Sequence, residues 1–287
     1  MKTTPLHPDF GVEVHDLDLD AVTAEDGYAE LRHLFDTHSL LLFRNQPLSD
    51  AQHLRLARLF GPIENRTDDP TERLSPVSNA TEDGGVTAAD ALHTLNLIAN
   101  QLWHTDSTFL PVPALANLLQ ARVVSSSGGE TEFVSTRAGF KRLPEETRER
   151  LRHTGFRHDY KTSRGEIAKE LTRMAIISKW PEQHWRAVWP NPANGEEALY
   201  IASHVCAVDG MEQAEAKAWV KQLTAAMTPP EAVYTHAWEP GDLIIWDERA
   251  TMHRGRPWPY DEERTLVSVC VTARDVDGLA KMRVAPT

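Results

Sequence analysis

The stretch "QLWHTDSTF", residues 101–109, sets a histidine and an aspartate two apart, His104 and Asp106, directly behind a tryptophan. In an extended strand residues i and i+2 point to the same face, so an imidazole nitrogen and a carboxylate oxygen placed this way can reach one metal ion. A lone His-x-Asp also arises by chance, and it needs a third ligand before it carries meaning. For a two-histidine, one-carboxylate set that ligand is another histidine, and with thirteen in the chain number alone discriminates little. Position discriminates better: "GDLIIWDERATMHRGRPW" puts His253 seven residues beyond Trp246, the end of an apolar strand-like run. Two histidines and one carboxylate on one face of an octahedral ion leave three adjacent positions open, the arrangement of non-haem Fe(II) oxygenases. Those positions suit a bidentate 2-oxo acid and then O2. A 2-oxo acid cosubstrate brings a distal carboxylate that must be paired once buried, and arginine offers a planar, permanently charged fork for it. Arg264 opens the run "RTLVSVCV" eleven residues after His253. Its plainer reading is a surface ion pair with Asp261 or Glu262.

These side chains have to be held by a frame, and the apolar periodicity predicts one made mainly of strands. "LLLFRNQPLS" reads as a buried strand, Leu40 to Phe43, following a helix in "TAEDGYAELRHLFDTHS". "SDAQHLRLARLFGP" reads as a second helix, with Ser49 and Gln52 as a capping box and Gly-Pro as its stop. "PALANLLQARVVS" and "ETEFVST" predict strands separated by a Ser-Ser-Ser-Gly-Gly turn, and "EALYIASHV", "AVYTHAW", "GDLIIWD" and "RTLVSVCVTA" predict further ones. "AGFKRLPEETRERLRHTG" and "GMEQAEAKAWVKQLTAAMTPP" are helical, and residues 156–189 look irregular. Residues 64–90, rich in Pro, Gly, Asp and Glu, show little period and lead straight into the His-Asp pair, which favours an active-site lid over 64–95. The expectation is one domain over residues 1–287, mainly β with helical decorations on a double-stranded β-helix (jelly-roll) core and an insertion at 137–190.

Composition narrows the partners. The chain of 287 residues carries a net charge of −12 without any run of Lys and Arg, which argues against a nucleic-acid surface and leaves a small-molecule substrate. No apolar stretch approaches a membrane span, and the start has no signal-peptide h-region, so a cytoplasmic protein with no membrane partner is expected. The two cysteines, Cys206 and Cys270, form no C-x-x-C and read as buried free thiols.

"WHTDSTF", "GGETEF", "IIWDERATMHRGRPW" and "ERTLVSV" occur in an order and spacing that resemble the TauD/TfdA group of Fe(II)- and 2-oxoglutarate-dependent dioxygenases, and the likeness runs almost end to end. The resemblance implies that His104, Asp106 and His253 ligate Fe(II), that Thr131 and Arg264 hold the distal carboxylate of 2-oxoglutarate, and that Trp246 lines the metal pocket. "ANQLWH" is especially similar to the 2,4-dichlorophenoxyacetate dioxygenase branch, which makes Asn100 and, more weakly, His204 candidate substrate contacts. As plain structure these two would be a turn cap and a satisfied strand histidine. Ser268 falls where anion-binding members carry a second arginine, and the acidic lid has none of the lysines of that branch. A carboxylate or sulfonate substrate would then need another buried partner, such as Arg66, Arg73 or a basic residue of 161–179.

The resemblance further implies oxidative decarboxylation of 2-oxoglutarate to succinate and CO2, coupled to hydroxylation of a substrate C–H bond and, beside an ether oxygen, to cleavage of the ether. A carboxylate at Asp106 favours hydroxylation over halogenation, which needs a small residue there. Rival readings are a biosynthetic hydroxylase or desaturase, a zinc hydrolase, which leaves Thr131 and Arg264 without a task, and a silent binding protein, which would most naturally have lost a ligand. A homo-oligomer is expected from the family likeness.

Overall fold

Leu40–Phe43 is four apolar residues in succession, and because strand side chains alternate in direction it can be satisfied only with both faces covered. The computed structural model, which describes residues 1–284, places it inside a seven-stranded sheet. The order is Lys2–Pro5, Val12–His15, Leu40–Phe43, Leu243–Asp247, Ala114–Val123, Thr265–Thr272 and Ser75–Ser78. Only the contact of Val12–His15 with Leu40–Phe43 is parallel; the rest are antiparallel. A three-stranded sheet, Tyr234–His236, Thr131–Ser135 and Thr251–Gly255, faces it. Phe133 from the small sheet meets Trp246 of the large one edge-on at 5.3 Å, within an apolar layer that includes Leu42, Ile244 and Leu266. The outer face of the large sheet is covered by the helices Tyr28–His38 and Asp50–Phe60, whose Leu31, Phe35, Leu56 and Phe60 are buried.

The helix Asp50–Phe60 starts at the expected place, with the Ser49 and Gln52 capping box formed and Gly61 ending it. Elsewhere the elements differ from expectation for identifiable reasons. The helical insertion is two helices, Thr136–Arg142 and Glu145–Arg152, because Pro144 cannot continue the first. "EALYIASHV" is a strand only over Glu197–Leu199; His204 lies in the turn that opens the next strand, Val205–Val208. Residues 156–189 are ordered into strands and short helices, including Gly155–His158, Tyr160–Ile167 and Gln183–Arg186. The residues 64–90 contain the edge strand Ser75–Ser78, hydrogen-bonded to the start of Thr265–Thr272. Both cysteines are free, as expected, but only partly buried.

Candidate metal and cosubstrate site

The two histidines are brought together by backbone pairing. The amide of His104 donates to the carbonyl of His253 (3.0 Å) and that of His253 to the carbonyl of His104 (2.8 Å), an isolated antiparallel bridge on the edge of the small sheet. The ring centroids lie 4.2 Å apart. Asp106 reaches the same point from a turn, not from the extended strand that the i, i+2 spacing suggests. Its Oδ1 is 3.6 Å from His104 Nε2 and its Oδ2 3.8 Å from His253 Nε2. One ligating atom from each residue lies within 4.8 Å of the others, a separation a single ion can bridge. Thr105, pointing the other way, donates to the carbonyls of Ile201 and Thr251 and fixes the turn from behind (both 3.0 Å).

The protonation states suit a cation. Burial, and then the neighbouring His104, push His253 down to about 3. Burial lowers His104 too, and its Nδ1–H donates to the Leu102 carbonyl at 2.7 Å, which leaves Nε2 as the free lone pair. For Asp106 burial pulls upward, but His253, His104, Arg66 and the Asn117 amide together hold its carboxyl below the usual range. Asn117 donates to Asp106 Oδ2 at 2.7 Å and accepts from the Ser268 hydroxyl at 2.8 Å. Ser268, expected at a substrate position, therefore spends its hydroxyl on fixing Asn117, which in turn orients the Asp106 carboxylate. Glu248 accepts from the Asp106 amide at 2.9 Å, and burial followed by the nearby Asp106 raises its carboxyl well above the ordinary carboxylate range.

The sheets form a cavity of about 380 Å³ over this cluster. Strand register accounts for one wall: Trp246, Asn117 and Cys270 are direct cross-strand neighbours in the large sheet, and all three line it. The Trp246 ring lies 4.8 Å from that of His253. Thr131 lies on the opposing sheet and accepts from the Trp238 indole at 2.9 Å. Arg264 is 6% exposed and pairs with neither Asp261 nor Glu262; Glu262 is engaged by Ser126. Asn79 accepts from its amide, Trp258 lies beneath its guanidinium at 5.0 Å, and its Nε and Nη2 both donate to the Gly129 carbonyl at 3.1 and 2.7 Å. Gly129, at φ +73°, leaves no room for a side chain: a Cβ there would lie 2.7 Å from Arg264 Nε. Burial lowers Arg264 to about 10, an effect the nearby Glu130 offsets only in part.

Asn100 and His204 also line the cavity. His204 is buried, accepts or donates at 2.8 Å to Ser163 through Nδ1, and presents its ring 6.2 Å from that of His104. Asn100 gives its carbonyl oxygen to Arg164 at 3.0 Å. Sequence reasoning missed Asn117 and Glu248, and it reached Arg164 only as one of the basic residues of 161–179. Asn117 had a readable signal, a polar side chain in the middle of the apolar run "ALANLLQA".

A two-histidine, one-carboxylate cluster that shares a cavity with a buried arginine lacking a carboxylate partner is the layout of a non-haem metal site for an anionic cosubstrate. Residues 2–270 match the family "Taurine catabolism dioxygenase TauD, TfdA family", and the chain belongs to it. It is accordingly an enzyme, a 2-oxoglutarate-dependent dioxygenase that uses Fe(II), 2-oxoglutarate and O2. The alpha-ketoglutarate-dependent 2,4-dichlorophenoxyacetate dioxygenase of Cupriavidus pinatubonensis is 35% identical, the alignment covering 91% of this chain and 94% of that protein. The (S)-phenoxypropionate/alpha-ketoglutarate-dioxygenase of Sphingobium herbicidovorans is 30% identical over 89% of this chain and 88% of that protein. Among solved structures, that of AAD-2 in complex with Mn(II) and N-oxalylglycine superposes with a TM-score of 0.88 at 32% identity, covering 95% of this chain and 98% of that one.

Proposed function

We propose that the enzyme hydroxylates an aryloxyalkanoate at the carbon bearing the ether oxygen, with His104, Asp106 and His253 holding the iron. The carrying observation is the pairing of that donor set with Arg264, buried in the same cavity with only carbonyl partners. Arg264 and the Thr131 hydroxyl take the distal carboxylate of 2-oxoglutarate, and Trp246 packs against His253 to shape the metal pocket. Bound iron supplies the activation of O2; one oxygen atom enters succinate as CO2 leaves, and the other enters the substrate C–H bond. The resulting hemiacetal collapses to a phenol and a 2-oxo acid. The chain's own residues orient the ligands, neutralise charge and keep water out.

This reading treats the chain as one dioxygenase domain on a double-stranded β-helix core, with 137–190 as an insertion; residues 285–287 lie outside the described residues. Two facing sheets support that core. Residues 64–95 act as the lid, a role supported by the presence of Arg66, Thr71, Arg73 and His93 in the cavity wall. Asn100 and His204 contact the substrate. No helix among the described residues is long and apolar enough to cross a membrane, and the reading is of a cytoplasmic homo-oligomer acting on a small molecule, not on nucleic acid.

The test is an anaerobic absorption titration of metal-free protein with Fe(II) and then 2-oxoglutarate. A visible charge-transfer band saturating at about one equivalent is the expected result. Iron binding with no band on adding 2-oxoglutarate would remove the cosubstrate assignment.

A further inference from the structure

Among the described residues four arginines are buried: Arg137, Arg164, Arg249 and Arg264. Burying a guanidinium is costly unless an anion is placed beside it. Arg249 has Asp36 and Asp247 at 2.6 and 2.8 Å, and Arg137 has Glu196 at 3.2 Å. Arg164 and Arg264 have neutral oxygens only, and both line the same cavity. One anion, the distal carboxylate of 2-oxoglutarate, is already assigned to Arg264. Resting on the proposed function, we propose that Arg164 is the anchor for a second anion, the carboxylate of the primary substrate, and that the enzyme selects organic monocarboxylic acids.

The surroundings of Arg164 are built for this. It stands on the short helix Tyr160–Ile167 with 4% exposure. Its Nε donates to Asn96 Oδ1 (3.1 Å), its Nη2 to Asn100 Oδ1 and to the Tyr160 hydroxyl (both 3.0 Å), and its Nη1 to the Ser163 hydroxyl (3.3 Å). Five N–H groups are available on a guanidinium, so one on Nη1 is left over. A guanidinium has no acceptor, so the two asparagines can face it only through their oxygens. Their amino groups are thereby turned away from it, and neither makes a hydrogen bond to protein among the described residues, while both side chains line the cavity. The result is a set of donors around one buried positive charge. Ser163 also bonds His204, whose ring faces His104, so this donor set adjoins the metal cluster.

The other cationic candidates are already engaged. Arg66 pairs with Glu64 and donates to Ser107, Arg73 pairs with Asp69 at the surface, and the half-exposed Arg256 lies 3.6 Å from Glu132. Ser268 has no charge to offer and is tied to Asn117. Arg164 thus fills the need left by the absence of a second arginine on the strand Thr265–Thr272, and it does so from the opposite side of the chain's order.

The experiment uses enzyme loaded with Mn(II) and 2-oxoglutarate and measures, by calorimetry, binding of 2,4-dichlorophenoxyacetate and of its neutral primary amide. A charge-assisted contact of this kind predicts about 30-fold tighter binding of the acid. Arg164→Gln should erase that preference while the affinity for 2-oxoglutarate, followed separately through the Fe(II) absorption band, stays within about 3-fold of wild type. Arg164→Lys, which keeps the charge and guards against a merely structural loss, should retain part of the preference. Equal binding of acid and amide to the wild type, no saturable binding of the acid, or a preference that survives Arg164→Gln would overturn the assignment. Failure of the 2-oxoglutarate band in the wild type would instead strike the proposed function itself, so the two failures are told apart.

Discussion

Replacing Arg264 by Gln separates the cost of the cosubstrate site from its use. In the ligand-free fold the guanidinium is 6% exposed and burial lowers it from 12.5 to about 10, which corresponds to roughly 3 kcal/mol of disfavoured charge at about 1.4 kcal/mol per pK unit. Its two hydrogen bonds to the Gly129 carbonyl return about as much, at roughly 1.5 kcal/mol each. Folding stability of the metal-free protein should therefore change by no more than about 1 kcal/mol. Binding of 2-oxoglutarate should behave differently. Losing the charged contact to a buried carboxylate costs about 3 kcal/mol, or roughly 150-fold in affinity. Arg264→Lys keeps the charge without the fork and should fall between the two. The assay is the anaerobic Fe(II) titration with 2-oxoglutarate, paired with thermal melts of the metal-free variants. An unchanged 2-oxoglutarate affinity in Arg264→Gln, with the melt intact, would refute the assignment and move the anchor elsewhere.

Further predictions concern the ligands, their support and the acid stability of the fold. His104→Ala, Asp106→Ala and His253→Ala should each abolish succinate formation while leaving the far-ultraviolet circular dichroism unchanged; full turnover in any one would refute its role as a ligand. Asn117→Ala removes the amide that orients Asp106 and should weaken Fe(II) binding by about 10- to 100-fold, with Ser268→Ala, one bond further out, having a smaller effect; equal losses in the two would contradict this order. His53 is fully buried, and burial lowers it to about 4, against about 6.5 in the unfolded chain. A depressed folded value means that the unfolded chain takes the proton first, so this stability is fully present above about pH 6.5 and is lost as pH falls through about 4. Urea melts should show His53→Gln losing roughly 2 to 3 kcal/mol less than wild type between pH 7 and pH 4.5. Parallel losses in the two proteins would mean that His53 does not titrate as described.

Local chemistry was readable where it acts over a few residues. The Ser49 and Gln52 box fixes a helix start by hydrogen bonds within one turn, and the run Leu40–Phe43 declares a strand buried on both faces. The candidate cluster was readable because three side chains, two histidines and one carboxylate, stand in fixed order around apolar runs. What could not be read depends on contacts distant in the chain. His104 and His253 share an edge through a two-bond bridge, a pairing with no local mark. The placement of His104 and Asp106 on one side comes from a bridge and a turn, so the two side chains do meet, but through a different backbone from the strand the spacing suggested. Arg164 carried still less signal, because an arginine in "YKTSRGEIAK" looks like the solvated face of a helix until the fold buries it beside Asn96 and Asn100.

The charges of the cavity lead to a stricter conclusion than any one contact. Glu64 pairs with Arg66, Glu72 with Arg58, Arg73 with Asp69 and Arg256 with Glu132, and Glu248, whose carboxyl burial beside Asp106 raises well above its ordinary range, is not among the lining residues. That leaves one negative charge on Asp106 against two positive ones on Arg164 and Arg264. A divalent cation raises the excess to three positive charges, and 2-oxoglutarate as a dianion lowers it to one. In a buried space an unbalanced charge costs several kcal/mol, so the site with metal and cosubstrate in place still calls for one anion. A monocarboxylate closes the balance; a neutral substrate leaves a positive charge and a dianion leaves a negative one. The prediction that follows is graded: against the loaded enzyme, the monocarboxylic acid should bind more tightly than both its amide and an analogue bearing a second carboxylate on the ring. In Arg164→Gln, where the balance closes without an added anion, the acid should lose its advantage over the amide. A dicarboxylate that outbinds the monocarboxylate in wild type would show that charge balance does not govern selection here.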